Sequence, residues 1–167
     1  MLDSMLYRDQ GIRNGTIEGT MFDIDFKNQS LLIKLVDECG WPTFEQVGEK
    51  GFTAMSLVAL HAWNTTQTQF YPIIKECTER GLLNPHFLAT LVDRILVSHQ
   101  RMQVFGTQLT EDEATGTLSL DPVRDIERLE DRRADHDLIS MKEYMAMFGL
   151  NWPLEPTRPP IPSSSSN

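Results

Sequence analysis

The sequence has few cysteines and no long apolar run, and both shortages narrow the classes of protein to consider. Its two cysteines, Cys39 and Cys77, each lie in a predicted helix and form no metal-type cluster. They could pair only if their Cα atoms came within about 7 Å, and we interpret them as small buried apolar side chains. No stretch approaches the roughly 18 apolar residues of a membrane span. The sequence thus indicates neither a cysteine metal site nor a membrane protein.

Positive charge is also scarce, with 15 Lys and Arg residues against 24 Asp and Glu residues, which leaves a net charge of −9. Nonspecific nucleic-acid binding needs a basic footprint, and docking on an anionic membrane needs basic residues as well. We therefore expect neither a nucleic-acid partner nor a membrane partner. An acidic surface favours solubility and suits a basic protein partner.

Several catalytic and cofactor motifs are missing too. The chain has no phosphate-binding G-x-x-x-x-G-K-[ST] loop, no G-x-S-x-G elbow, no H-E-x-x-H pair and no dinucleotide fingerprint. No histidine forms an i, i+4 ligand pair with His61 or with another, so we expect no metal site, and no cofactor is indicated. The segment Met1–Arg8 carries an acid and lacks an apolar h-region, so we expect no signal peptide and a cytoplasmic location. No motif names a reaction, and the sequence leaves open whether the protein is an enzyme.

Helical periodicity is what the sequence does contain. Apolar side chains recur at spacings of three and four residues in segments bounded by capping, glycine or proline signals. The predicted helices are Phe22–Cys39, Gly51–Trp63, Phe70–Gly81, Pro85–Gln100, Arg124–Asp135 and Ser140–Phe148. Thr65–Thr68 is predicted to break the pattern, with Pro72 in the first turn of the next helix. Thr43 and Gln46 have the form of a capping box.

A change of period after the fourth of these helices predicts a β-hairpin. Met102–Leu109 and Thr117–Val123 are the predicted strands, and the polar segment Thr110–Gly116 connects them. The expected fold class is therefore mostly α, an irregular bundle of five or six helices with one small β-hairpin at about 102–123.

The chain is expected to contain one domain. Residues 20–150 form a single helical domain with the hairpin, preceded by a polar segment at 1–19 in which a short helix is expected at about Leu2–Arg8. A Pro/Ser-rich tail follows at 151–167.

Polar side chains next to the core carry the functional signal, because burying such a group without a partner costs several kcal/mol. On the helical wheel His61 lies among inward apolar residues. It is either a core histidine with a hydrogen-bonded ring nitrogen or a general acid or base. Arg94 lies at the edge of the buried sector, where it would clamp an anion or tie down a carboxylate or carbonyls. Asp93 points nearly the other way, so we expect the two to find different partners.

The predicted hairpin contributes further polar candidates. Gln103 and Gln108 flank Gly106-Thr107, and their amides could either recognise a ligand or join the hairpin to the helices in a polar network. Further along, Arg133 shares a helical face with apolar residues and should turn inward. Its neighbour Arg132 should stay in solvent.

Taken in order, these residues resemble a bacterial family of unknown function. The family pattern runs as G-W-P, V-G, a Q-H pair, L-x-D-R, Q-x-Y-G-T-Q and a double arginine. The matching residues are Gly40-Trp41-Pro42, Val47-Gly48, His61, Gln69, Asp93-Arg94, Gln103 to Gln108 and Arg132-Arg133, with Asp9-Gln10, Arg13, Asp25 and Asn28. The sequence departs from the pattern at Leu60, Phe105 and Asp137, where the family has glutamine, tyrosine and glycine. The resemblance covers about Asp9 to Tyr144 and supports the candidate site without implying a reaction.

Two functional hypotheses and a structural one follow. In the first, a polar pocket binds a small anionic ligand held by Arg94 and Arg133, and His61 moves a proton in water-activating hydrolytic chemistry. The candidate residues are His61 as the catalytic group and, for ligand binding, Gln69, Asp93, Arg94, Gln103, Thr107, Gln108 and Arg133. In the second, the chain is an acidic interaction module of inhibitor or immunity type that binds a basic partner protein. In the third, the polar residues are struts of an irregular helical fold.

Overall fold

The computed structural model describes residues 1–152, which fold into seven α-helices and one small sheet. The elements in chain order are α1 (Leu2–Arg13), α2 (Met21–Cys39), α3 (Phe44–His61), α4 (Asn64–Glu79), α5 (Pro85–Ser98), β1 (Leu109–Glu111), β2 (Leu118–Leu120), α6 (Leu129–Ala134) and α7 (Met141–Ala146). A 3-10 turn, Ile126–Arg128, leads into α6. The prediction of a mostly α fold with one small hairpin is confirmed.

The first five helices enclose the main hydrophobic core. α1 packs chiefly against α3, α4 packs against α5, and α2 lies against both α1 and α3. Each helix contributes enclosed side chains, for example Met5, Leu32, Met55, Phe70 and Leu91. Burying an apolar side chain of this size contributes about 1.5–3 kcal/mol. The packing of α1 along α3 also brings polar side chains of the two helices together, as the next subsection describes.

A second, smaller core holds the C-terminal part of the described chain. Leu129 of α6 and Met141 and Met145 of α7 are fully buried, and they pack with Val123, which follows β2. This packing fixes α6 and α7 beside the loop that connects α5 to β1.

α4 begins earlier than the sequence predicts. It starts at Asn64, so Thr65–Thr68 belongs to its first turns instead of breaking the pattern, and Pro72 lies inside the helix rather than in its first turn. The buried positions Gln67 and Phe70 follow helical spacing from this earlier start. The prediction was wrong because a polar first turn does not show the apolar period by which a helix is recognised.

Two other helices also differ in their bounds. α1 continues to Arg13, past the predicted end near Arg8. α3 starts earlier than predicted, at the expected capping box, where the Thr43 N–H donates to Gln46 Oε1 at 2.8 Å. Gly48 then kinks the helix with a φ of 66°, which a residue without a Cβ adopts at little cost.

The hairpin is much shorter than predicted. Its antiparallel pairs are Leu109–Leu120, Thr110–Ser119 and Glu111–Leu118. The predicted strand over 102–109 is wrong, since residues 102–108 form an irregular segment that makes a single isolated bridge, between Gln103 and Val123. Gln103 and Gln108 also form backbone hydrogen bonds with residues 121–124. Between these two residues, side chains rather than a neighbouring strand bind the backbone, as described below.

No helix within residues 1–152 has both the length and the apolar character needed to cross a membrane. The predicted tail at 151–167 lies, apart from its first two residues, outside the described part of the chain.

Candidate functional site

A carboxylate of α1 and the last residue of α3 form a pair at the edge of the core. His61 Nδ1 lies 2.8 Å from Asp9 Oδ1. The Asp9 side chain is 1% exposed and the His61 side chain is 13% exposed. The packing of α1 along α3 brings Asp9 to the C-terminal end of α3, although 52 positions separate the two residues in the chain.

Asp9 is held in its ionised form. Gln10 Nε2 donates to Asp9 Oδ2 at 2.7 Å, and Arg13 Nη1 lies 3.1 Å from Oδ1. Burial alone would raise the pKa of Asp9, but the hydrogen bond and charge of His61, then the charge of Arg13 and the bond from Gln10, lower it below its ordinary value of 3.8. Because an ionised carboxylate only accepts hydrogen bonds, the proton of this bond lies on His61 Nδ1.

Arg13 connects this pair to α2. Its Nη2 donates to both carboxylate oxygens of Asp25 at 3.0 Å. Its Nη1 donates to the backbone carbonyl and the side chain of Asp9, each at 3.1 Å. Two aspartates therefore compensate the charge of Arg13. Arg13 holds these two carboxylates in place and is not available as a cation to a ligand.

Arg94 of α5 adds a positive charge with no carboxylate partner in residues 1–152. Its Nη1 donates to the Leu60 carbonyl at 3.1 Å, and Gln67 Nε2 donates to the same carbonyl at 2.8 Å. The last carbonyls of a helix have no intrahelical partner, so these two bonds fix the end of α3 that carries His61. The Arg94 Nε is buried and lacks a hydrogen-bond partner within the described chain.

Electrostatics links Arg94 to the other charged groups. Burial and then the charge of Arg13 lower the pKa of Arg94, whereas Tyr144 and Asp25 act in the opposite direction. We call the polar group at the end of α3 the His61 cluster; its members are Asp9, Arg13, Asp25, His61 and Arg94.

An open cleft of 340 Å³ adjoins the His61 cluster. Its wall combines a guanidinium with amide and apolar side chains. The lining residues are Ala62, Trp63, Asn64, Gln67, Arg94, Val97, Ser98 and Gln108. Arg94 belongs to both the cleft and the cluster, and Ala62 directly follows His61. Arg94 is the only member of the cluster among the lining residues, so a ligand in the cleft would meet the cluster through Arg94.

A second polar arrangement lies nearby, and it is closed. Residues 103–108, which we call the 103–108 loop, surround the carboxylate of Asp93, whose exposure is 0%. Asp93 accepts from the backbone N–H groups of Val104, Phe105 and Thr107 and from the Thr107 hydroxyl, at 2.7–3.1 Å. Asp93 and Arg94 have different partners, as the helical wheel predicts. Asp93 is nevertheless buried, because the loop covers its side of α5.

Two arginines of α6 bind the carbonyl groups of the same loop. Arg133 Nη1 donates to the carbonyls of Phe105 and Gly106 at 2.7 and 3.1 Å. Arg132, expected in solvent, donates from Nε to the Val104 carbonyl at 2.8 Å. The carboxylate of Asp93 thus binds the N–H groups of the loop, and the guanidinium groups of Arg132 and Arg133 bind its C=O groups. Arg133 is 1% exposed and does not line the cleft, which argues against the expected contact with a ligand anion.

Gln103 closes the loop from inside. Its Oε1 accepts from the Gln108 N–H at 2.9 Å, and its Nε2 donates to the carbonyls of Gln108 and Asp121 at 3.1 and 2.7 Å. The Tyr144 hydroxyl donates to the Thr107 carbonyl at 2.7 Å. Gln103 is 0% exposed, so its amide serves the backbone and not a ligand.

The structure separates the candidate residues into groups. Arg94 and Gln108 line the cleft, and His61 directly precedes the lining residue Ala62. Those buried against the loop backbone are Asp93, Gln103, Thr107 and Arg133. Gln69 joins neither group, because it lies on the exposed side of α4. Since α4 starts at Asn64, Gln67 turns inward in its place.

Sequence reasoning did not place Asp9, Arg13 and Asp25 in the site, although the family pattern contains them. The i, i+4 spacing of Asp9 and Arg13 is a usable signal only if α1 extends to Arg13, and the predicted helix stopped near Arg8. The contact with Asp25 depends on how α1 and α2 pack, which the local sequence does not show.

Metal-binding residues do not gather anywhere in the described chain, where no group of three or more His, Cys, Asp or Glu side chains could hold an ion. Both cysteines are unpaired. Cys77 is buried as interpreted, but Cys39 is exposed near the end of α2, so that interpretation was wrong for Cys39.

The fold and the site define a small helical protein with a charged cluster beside an open cleft. The chain belongs to a family of unknown function (DUF6624), which matches residues 9–155. The matched region includes the His61 cluster, the cleft and the 103–108 loop. Neither the curated proteins nor the solved structures contain a match to the chain.

Proposed function

We propose that the protein binds a small anionic ligand in the cleft and that His61 moves a proton in the hydrolysis of this ligand. The Asp9–His61 pair, with 2.8 Å between Nδ1 and Oδ1, carries the proposal. A histidine oriented by a carboxylate is a recurrent general acid–base arrangement. Arg94 binds the carbonyl of Leu60, the residue before His61, and has no carboxylate partner in residues 1–152. A guanidinium suits a carboxylate or phosphate ligand.

The orientation of His61 supports a role as general base. Asp9 accepts from Nδ1, which leaves Nε2 as the nitrogen able to take up a proton. Nε2 makes no hydrogen bond to residues 1–152, and the side chain retains 13% of its exposure.

Water is the nucleophile in this proposal, because no serine, threonine or cysteine in the described chain is hydrogen-bonded to His61. Nε2 takes a proton from water while the water oxygen attacks an electrophilic carbon or phosphorus of the ligand. The bond to the leaving group then breaks, and His61 returns the proton to that group.

The pairing of the charges leaves Arg94 as the cation that an anionic ligand could bind. Asp9 and Asp25 carry two negative charges, and Arg13 and Arg94 carry two positive charges, so the cluster is neutral when His61 is neutral. Arg13 is enclosed by its two aspartates. Arg94 is therefore the cation without a carboxylate partner in residues 1–152, and its Nη2 is the donor left for a ligand.

A thermal-shift screen against a metabolite library tests the binding. The proteins are the wild type, Arg94→Lys, Gln108→Ala and His61→Ala, with Gln69→Ala as a control on the exposed side of α4. We expect an anionic compound to raise the melting temperature of the wild type and the control, and to raise that of Arg94→Lys and Gln108→Ala much less.

Turnover of the same compound tests the chemistry. We expect His61→Ala to keep binding and to lose hydrolysis by about 100-fold or more, the usual contribution of a general base. A screen in which no compound shifts the wild type would contradict the proposal, and so would equal shifts in all variants. If the wild type bound the compound without turning it over, the proposed binding site would stand and the proposed hydrolysis would be contradicted.

A second function, an interaction module for a basic partner protein, is supported by the net charge of −9 and by the exposed acidic residues Glu111, Asp112 and Glu113 near the hairpin turn. Acidic surfaces accelerate encounter with cationic partners. A pull-down from the native host at moderate salt, with Glu111→Lys/Glu113→Lys as the comparison, tests it. Recovery of no partner, or of the same proteins by both baits, would count against it.

A further inference from the structure

An aromatic surface borders the cleft and has no role in the chemistry proposed above. Trp63, on the cleft wall, packs against Phe22 and Phe26 of α2, with ring centroids 5.7 and 5.4 Å away. Phe22, Phe26 and Trp63 are 65%, 50% and 44% exposed. Burial of large aromatic side chains stabilises a protein or complex. A contiguous group of exposed ones is typical of a surface that binds a ligand or a partner protein. We call these three side chains the aromatic patch.

α2 fixes the aromatic patch to the His61 cluster. Residues at spacings of three and four share one face of this helix; they are Phe22, Asp25, Phe26 and Gln29. On this face Asp25 binds Arg13 through both oxygens. Gln29 Oε1 accepts from the backbone N–H of Trp63 at 3.0 Å. The patch and the charged cluster thus share one face of α2.

The cleft joins a cation to this apolar surface. Arg94 and Trp63 both line it, and its 340 Å³ falls within the range of small-molecule sites. Arg94 uses Nη1 for the Leu60 carbonyl. Its Nε has no partner, and its Nη2 donates to no residue in 1–152. Because Nε is buried, Nη2 is the N–H group that an anion in the cleft can reach.

We propose that the ligand of this site is an aryl anion, a small molecule whose carboxylate or phosphate binds Arg94 and whose aromatic ring packs on Trp63 and the neighbouring rings of the aromatic patch. The proposal rests on the proposed function for the location of the site and adds the chemical class of the ligand. A ring placed on these side chains is removed from water and gains offset or edge contacts with them. A small polar anion would leave the patch in water.

The first experiment compares four probes by calorimetric titration of the full-length wild type: phenylacetate, phenyl phosphate, acetate and benzyl alcohol. We expect at least one aryl anion to bind, and acetate and benzyl alcohol to bind at least tenfold more weakly. The order of phenylacetate and phenyl phosphate identifies the anionic group. Equal binding of acetate and phenylacetate overturns the proposal, and so does the absence of binding by both aryl anions.

Matched variants locate the binding. Phe22→Ala and Trp63→Leu remove parts of the patch, and Tyr7→Ala is the control, because Tyr7 is also 65% exposed but lines a different cleft. We expect the aryl anion to bind at least fivefold more weakly to the patch variants and within twofold of wild type to the control. Unchanged binding to both patch variants overturns the proposal.

Arg94→Gln tests the cation, because Gln67 still donates to the Leu60 carbonyl and so holds the end of α3. We expect the aryl anion to bind at least tenfold more weakly, and benzyl alcohol to be unaffected. An unchanged affinity for the aryl anion overturns the proposal. The two proposals fail separately: binding of an aryl anion without turnover removes only the hydrolysis, whereas turnover of a non-aromatic anion, unaffected in the patch variants, removes only the aryl class.

Discussion

The 103–108 loop and the His61 cluster lie side by side, and they differ in what their charged side chains bind. In the loop, Asp93 and Arg133 are at most 1% exposed and bind backbone N–H and C=O groups. In the cluster, Arg13 and Asp25 bind each other, and His61 keeps part of its surface in solvent. The charged side chains at the loop bind and stabilise an irregular backbone, whereas those of the cluster keep a donor and an acceptor for a ligand.

This difference shows that a polar side chain at the core is not by itself evidence of a functional site. A buried charge is tolerated when it is fully hydrogen-bonded, and a loop without strand pairing needs such partners for its backbone. Asp93 and Arg133 meet that need from opposite sides. Arg133 Nη2 and Arg94 Nε are both buried without a hydrogen-bond partner in residues 1–152. A missing partner is therefore a pointer to a site only where the side chain also lines a cleft, as that of Arg94 does.

The largest effect we predict is on the stability of Asp93→Asn. Asparagine has one acceptor oxygen in place of two, and its NH₂ group would face backbone donors of the loop. Because the site is fully buried, we expect a loss of about 3–4 kcal/mol in the free energy of unfolding. Urea denaturation followed by circular dichroism measures it.

Asp25→Asn is the matched control for that prediction, since it is the same chemical change in the other region. The Asp25 side chain is 16% exposed, and its partner Arg13 keeps Asp9 as a second carboxylate. We expect a loss of about 1 kcal/mol or less. Equal losses in the two variants would show that the two regions do not differ in the way described.

The pH dependence of stability tests the cluster itself. The pKa of Asp9 is lowered in the folded protein, so the unfolded chain takes up a proton first as the pH falls through about 4. The stabilisation by Asp9 is therefore present above that range and is lost as the pH falls through the lowered pKa of the folded state. We expect the free energy of unfolding of wild type minus that of Asp9→Asn to be about 2 kcal/mol at pH 6 and to shrink towards pH 3.

Taking this difference cancels the exposed carboxylates whose pKa values are also lowered, such as Glu45, Asp112 and Glu143, because both proteins contain them. Unfolding curves at half-unit pH intervals measure it. A difference that stays constant from pH 6 to pH 3 would contradict the ionised Asp9 described here.

The fold could be predicted from the sequence where the signal is local. The periodicity of α2 and α5 and the cap at Thr43 and Gln46 depend on residues within one or two turns, and the structure has them. The segment 102–108 could not be predicted, because its alternation is that of a strand. Its conformation is set by Asp93 and Arg133, whose contacts with it span 11 to 28 positions of the chain.

The candidate site was predictable only in part for the same reason. His61 and Arg94 show themselves by their phase on apolar helices, and both lie at the site. Asp9 and Asp25 reach it through the packing of α1, α2 and α3, which no single helix reports. Gln69 entered the prediction because the start of α4 was misplaced.

Gln67 and Gln69 give the smallest and most direct test of that last point, since they are the same residue type two positions apart on α4. Gln67 is 3% exposed and donates to the Leu60 carbonyl beside Arg94, whereas Gln69 is exposed. We expect Gln67→Ala to lower the free energy of unfolding by about 1–2 kcal/mol, because it removes a buried hydrogen bond at the end of α3. We expect Gln69→Ala to change it by about 0.5 kcal/mol or less, as is usual for surface substitutions. Thermal and urea unfolding of the two variants measure both values. If Gln69→Ala proved the more damaging, α4 would have to be turned so that Gln69 faces the core, and the cleft as described here could not exist.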